Sequence, residues 1–146
     1  MNTGLLHLHN ALRWVILITL LLSIYKLYTK QDALKTSKIL LIASHTTLLI
    51  GLYQYFTGTV GFKMIQAAGM GEAMKNAPTR FWAVEHIFSM ILAIILITIG
   101  HIGYKKTQNG NRTKLLYVIA LLLIVLAMPW PFKEGVGRPW FPGMGA

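Results

Sequence analysis

The chain has 146 residues, 55% of them hydrophobic and 12% charged, with fourteen basic and four acidic side chains, a net charge of +10 and no cysteine; its mean hydropathy is +0.56. So few charges, about half the share of an ordinary soluble domain, cannot cover the surface of a water-soluble fold this size, and the composition points to a bilayer. The lack of cysteine excludes disulfide scaffolds, thiolate metal sites, iron–sulfur clusters and covalent c-type haem, and the basic residues sit in short connections, where topology rather than nucleic acid explains them.

Four apolar blocks follow one another. The first, Leu5 to Tyr28, is too long and aromatic for a signal peptide and reads as a retained helix ending at Tyr25, Lys26 and Tyr28. A polar connection, Gln31 to Lys38, leads to a second block, Ile39 to Phe56, which Ser37 can cap. The segment Gly58 to Thr79 is punctuated by Gly61, Gly69, Gly71 and Pro78, yet carries Phe62, Met64, Ile65, Met70 and Met74. Two readings of it stand side by side: a short helix lying in the outer interface, or an ordinary surface loop. The third block runs from Phe81 to about Ile102 and the fourth from Leu115 to Met128, where Pro129 and Pro131 stop it. The tail, 129–146, should be irregular and either cover the bundle mouth or dock on a partner.

Short connections make sequential helices antiparallel, so the expectation is an all-α integral membrane protein: one domain, 1–146, built as an up-down-up-down bundle of four transmembrane helices. Lys26, Lys30, Lys35, Lys38, Lys105, Lys106, Arg112 and Lys114 lie on one side, against Lys63, Lys75, Arg80, Lys133 and Arg138 on the other. By the positive-inside rule both termini are outside.

Ionisable groups inside a span are costly enough to suggest function. At 1.5 Å per residue, Arg13 lies roughly 7 Å, Glu85 roughly 6 Å and His86 roughly 7 Å below the outer edge of their helices. His9 stacks one turn above Arg13, and Gln54 near the outer end of the second helix joins the level. Arg13 and Glu85 are therefore expected to pair between the first and third helices. His45 sits in the run Ser44-His45-Thr46-Thr47, where it either hydrogen-bonds Ser23 or Thr19, ligates haem, or belongs to a proton path. His7 reads as solvated, and His101 as a histidine favoured by the negative end of its helix.

A b-type haem held by two imidazoles needs histidines on different helices at reconcilable depth. His9 with His86 comes closest, with Arg13 placed for a propionate; His45 with His101 is the second pair. The same level suits a quinol, with Glu85 and a histidine accepting its protons and Trp14, Trp82 and Tyr53 packing on its ring. The competing class is a cofactor-free structural or assembly subunit of a larger membrane complex. No internal repeat supports a transporter.

Three stretches carry a resemblance: Leu6-His7-Leu8-His9-Asn10-Ala11-Leu12-Arg13-Trp14, Ser44-His45-Thr46-Thr47-Leu48-Leu49-Ile50-Gly51-Leu52-Tyr53, and Arg80-Phe81-Trp82-Ala83-Val84-Glu85-His86. Together they resemble small four-helix bacterial membrane proteins labelled cytochrome-b-like, over most of residues 4–131. The resemblance implies a multi-pass protein of the bacterial inner membrane that binds haem b, or interacts with quinone, as an electron-transfer subunit beside other membrane subunits of a respiratory-type complex. The second stretch also looks like part of one half of haem A synthase, with Thr47 standing where that pattern has glutamine.

Overall fold

Long apolar runs free of proline satisfy every backbone group by winding into helices, the arrangement a bilayer demands. The computed structural model describes residues 3–141. In chain order they form α1 (Thr3–Tyr28), α2 (Leu34–Thr57), α3 (Phe62–Ala68), α4 (Met70–Lys75), α5 (Ala77–Arg80), a π-helical turn (Phe81–Glu85), α6 (His86–Thr107) and α7 (Asn111–Ala127). Among the described residues there is no strand. Hydroxyls inside the helices return their hydrogen bonds to the preceding turn, Thr19 to the Val15 carbonyl at 2.7 Å and Thr46 to that of Ile42 at 2.8 Å. Such residues therefore add no unpaired group to an apolar helix.

Three helical runs, Thr3–Tyr28, Leu34–Ala68 and Ala77–Thr107, are long and apolar enough to cross a membrane. The 17-residue α7 is shorter but comparably apolar. All four long helices turn large apolar side chains outward: Ile18 and Leu21 on α1, Ile42 and Leu49 on α2, Phe88 and Ile95 on α6, Leu115 and Leu126 on α7. A water-soluble assembly would bury these faces, whereas a lipid-facing one exposes them.

The long helices close a ring of neighbours: α1 packs on α2 and α7, and α6 on α2 and α7. Leu20, Leu40, Ile97, Ala93, Ala120 and Tyr117 fill its interior, each fully buried. Gly100 lets α6 and α7 approach closely, since a Cβ there would meet Tyr117 Cε1 at 2.8 Å. At the end holding the α1–α2 and α6–α7 connections, a buried polar knot ties three helices. His101 Nδ1 lies 2.8 Å from Ser37 Oγ, which also bonds the Tyr117 hydroxyl. Thr113 donates to the Gly100 carbonyl at 2.9 Å.

Two sequence expectations change here. Ser37 does not cap α2: the helix begins at Leu34, whose N–H is accepted by Asp32 Oδ1 at 3.0 Å, and Ser37 lies a turn inside, in the knot. His101, expected near the negative end of its helix, lies more than a turn before that end at Thr107 and is buried and bonded in the knot. As for the segment between the second and third blocks, the helix reading and the loop reading each held part of it: α3, α4 and α5 are short helices broken at Gly69 and Asn76. Gly69 has φ +81°, a conformation that side chains disfavour. Beyond α7, whose last residue precedes Met128 and Pro129 as the proline rule requires, the chain folds back along α1 as a strap, 129–141.

Candidate functional site

At the end of the ring opposite the polar knot, the four helices enclose a cavity of about 360 Å³. That size falls within the range of small-molecule sites. Ile16 from α1, Met90 and Ile94 from α6, and Ile124 from α7 make one wall apolar, and Ser44 and Thr47 from α2 add hydroxyls to it. The upper walls carry His9, Asn10 and Arg13 from α1, Gln54 from α2, Trp82 and His86 around the π turn, and Arg138 and Pro139 from the strap. The fully buried Leu20, Leu40 and Ile97 separate it from the knot.

His9 and His86 face each other with ring centroids 6.3 Å apart and planes at 64°. Two features set them there. Gly51 brings α2 close to His9, since a Cβ at that position would lie 3.3 Å from His9 Cε1. The π turn sets His86: its N–H reaches back five residues to the Phe81 carbonyl. Rings of Phe81 and Trp82 flank the imidazole, each with its centroid 5.6 Å away. Its Nδ1 donates to the Ala127 carbonyl at 2.7 Å, so Nε2 carries the free lone pair. The wide turn leaves the Ala83 carbonyl to accept from Tyr55 at 2.7 Å, which pins the end of α2 to it.

Arg13 is buried and does not pair with Glu85. Its Nη2 donates to the Pro139 and Trp140 carbonyls at 2.8 and 2.7 Å, and Trp14 Nε1 donates to the same Trp140 carbonyl at 2.6 Å. Glu85 is exposed, accepts from Arg80 Nε at 2.7 Å and is not part of the cavity wall. Counting residues puts the two charges at one level, but depth says nothing of direction around the axis. One extra residue in the turn rotates the remainder of the helix by about 100°, and Arg80 lies within reach on Glu85's own segment. His45 also lies outside the cavity, exposed on α2, with its Nε2 3.0 Å from Thr98 Oγ1 instead of bonded to Ser23 or Thr19. His7 lines the mouth and is exposed. Of the three aromatics named for a ring sandwich, Trp82 lines the cavity; Tyr53 is exposed on α2, and Trp14 stacks on the strap against Trp140.

Most polar atoms that the fold buries without a partner belong to this wall. They are His9 Nδ1, Asn10 Oδ1, Arg13 Nε, Ser44 Oγ, Thr47 Oγ1 and Gln54 Nε2; Ser23 Oγ is the one outside it among the described residues. Each such group costs about 1–3 kcal/mol when left unmet, so their gathering in one cavity marks a place built for a polar guest. Arg138 was not singled out from the sequence as a site residue. Its Cζ lies 4.9 Å from the Trp82 ring centre. The signal that could have found it is an arginine set among prolines and tryptophans in a tail already expected to cover the mouth. Burial pulls the pKa values of Arg138 and of Lys133, its neighbour on the strap, below their ordinary values. Lys133 Nζ donates to the Leu126 carbonyl at 2.6 Å, fastening the strap to the end of α7.

No family model, characterised protein or solved structure matches the chain.

Proposed function

We propose that the chain is a small multi-pass subunit of a redox complex in a bacterial inner membrane, akin to the cytochrome-b-like proteins it resembles. In this reading it forms an up-down-up-down bundle of four transmembrane helices with both termini outside, and binds one b-type haem between His9 and His86. The observation that carries the reading is the 6.3 Å separation of the two ring centroids. His9 and His86, from two different helices and this close together, would hold the haem iron between them. The bond from His86 Nδ1 to the Ala127 carbonyl adds support, because histidine ligands commonly hold a carbonyl with the nitrogen that does not bind metal. Gly51 lets the His9 ring lie close against α2, where a Cβ would crowd it, and the apolar side chains of the wall would limit water. When bound, the haem supplies one-electron transfer.

A second reading, a quinol site, is favoured by the unpartnered Gln54 amide and the Ser44 and Thr47 hydroxyls along one face of α2, which suit quinone carbonyl oxygens.

The absorption spectrum of detergent-purified protein from haem-replete cells tests the first reading. A Soret band and a low-spin α-band on reduction are expected, lost in His86→Ala and in His9→Ala but kept in His7→Ala, His45→Ala and His101→Ala. Parent protein without Soret absorption overturns it. Binding of a quinone analogue that Gln54→Leu weakens would then favour the quinol site, and no binding would favour a cofactor-free subunit.

A further inference from the structure

The fully charged side chains in the cavity wall are both cations. Arg13 and Arg138 line it, and no aspartate or glutamate does. Arg13 is 7% exposed, and its Nε has no acceptor. Arg138 is half-buried; its guanidinium packs on the face of Trp82 and lies close enough for its charge to act on His86, and among the described residues it has no hydrogen-bond acceptor. The two are neighbours through the strap, since the Pro139 carbonyl that Arg13 grips belongs to the residue after Arg138. A guanidinium carries five donors in a fork that matches carboxylate and phosphate oxygens. Two cations facing one low-dielectric cavity without a counter-charge are costly. Among the described residues, the tail carbonyls answer part of Arg13, and Arg138 has a ring face but no acceptor.

We infer that the guest of this cavity is an anionic amphiphile whose oxyanion, a carboxylate or phosphate, is held by Arg138 with Arg13 Nε beside it. Its apolar body runs down between Ile16, Met90, Ile94 and Ile124. The inference deepens the haem reading, because haem carries carboxylates at one edge, but it rests on the cavity and not on iron: a fatty acid or a lysophospholipid has the same chemistry. Strap and guest are then linked, since the anion would bridge the strap, through Arg138, to α1, through Arg13.

The test uses full-length protein in a nonionic detergent and follows quenching of tryptophan fluorescence. Four probes are compared: protoporphyrin IX, its dimethyl ester, a conjugated polyene fatty acid and its methyl ester. A charge-assisted fork is worth about ten- to a hundredfold in affinity. At least one acid should therefore bind tenfold or more tighter than its ester. Arg138→Gln should abolish that preference at an unchanged unfolding midpoint, Arg138→Lys should restore part of it, and Lys63→Gln, at an exposed position on α3 outside the cavity wall, should leave it intact. Acid and ester binding equally, a preference that survives Arg138→Gln, or no binding by either acid overturns the inference. The two readings fail separately. Preference by the fatty acid alone, with neither porphyrin binding, keeps the inference and removes haem. Equal binding of each of the two acids and its ester, with a Soret band that depends on His86, keeps haem and removes the inference.

Discussion

Replacing Arg13 by glutamine should free the strap while leaving the helix ring assembled. The substitution removes two charge-assisted hydrogen bonds, to the Pro139 and Trp140 carbonyls at 2.8 and 2.7 Å. At the lower end of the range for bonds to charged groups, about 1.5 kcal/mol each, the loss is about 3 kcal/mol, or about a hundredfold in the equilibrium for strap opening. The strap keeps the bond from Trp14 Nε1 to the Trp140 carbonyl and the stacking of Trp14 on Trp140, so its loss is graded and not complete. Hydrogen exchange reads this directly. The amides of Gly137 and Arg138 donate within the strap, to the Lys133 and Pro129 carbonyls at 3.0 and 2.9 Å, in turns too short to persist once the strap leaves α1. Their exchange should accelerate by about a hundredfold, while amides around Leu20, Leu40 and Ile97 keep their rates. Arg80→Gln, which removes the partner of Glu85, should leave Gly137 and Arg138 unchanged. Unchanged strap exchange in Arg13→Gln, with faster exchange along α1 and α6, would refute the reasoning and return Arg13 to the role of an interhelical charge.

Gly100→Ala should destabilise the chain: the new Cβ meets Tyr117 Cε1 at 2.8 Å, and overpacking of about 1–3 kcal/mol outweighs a helix-propensity gain of up to about 1 kcal/mol. In a Tyr117→Leu background, which removes that ring atom, the same change should become neutral or stabilising in an SDS titration; a stabilised single variant would show that α6 and α7 are not held this close. For the proposed topology, cysteines at Lys35 and Lys133 should label unequally with an impermeant thiol reagent in intact cells. Lys133→Cys is expected to react first, and equal or reversed labelling contradicts it.

Apolar length is a local property. Transfer from water to lipid is summed along a segment, so the sequence by itself determined the helices at 3–28, 34–57, 86–107 and 111–127 to within a few residues at most ends. It also determined which polar groups share a level, because depth grows by a constant rise per residue. His9, Arg13, Gln54 and His86 do meet in one cavity. What it did not carry is direction around the helix axis. These helices are apolar on nearly every face, so no polar stripe marks the side that turns inward. Glu85 shows the consequence: counted to the same level as Arg13, it is turned outward to Arg80 by a π turn that no local pattern announces. Ser37 shows another, since a hydroxyl suited to a helix start binds His101 and Tyr117 from 64 and 80 residues away. Arg13 found its acceptors in the carbonyls of a returning tail, 126 and 127 residues further along. Backbone carbonyls are present at every residue and leave no mark in the sequence, so only the folded chain could decide which two an arginine reaches, and that Arg138 would stand beside it.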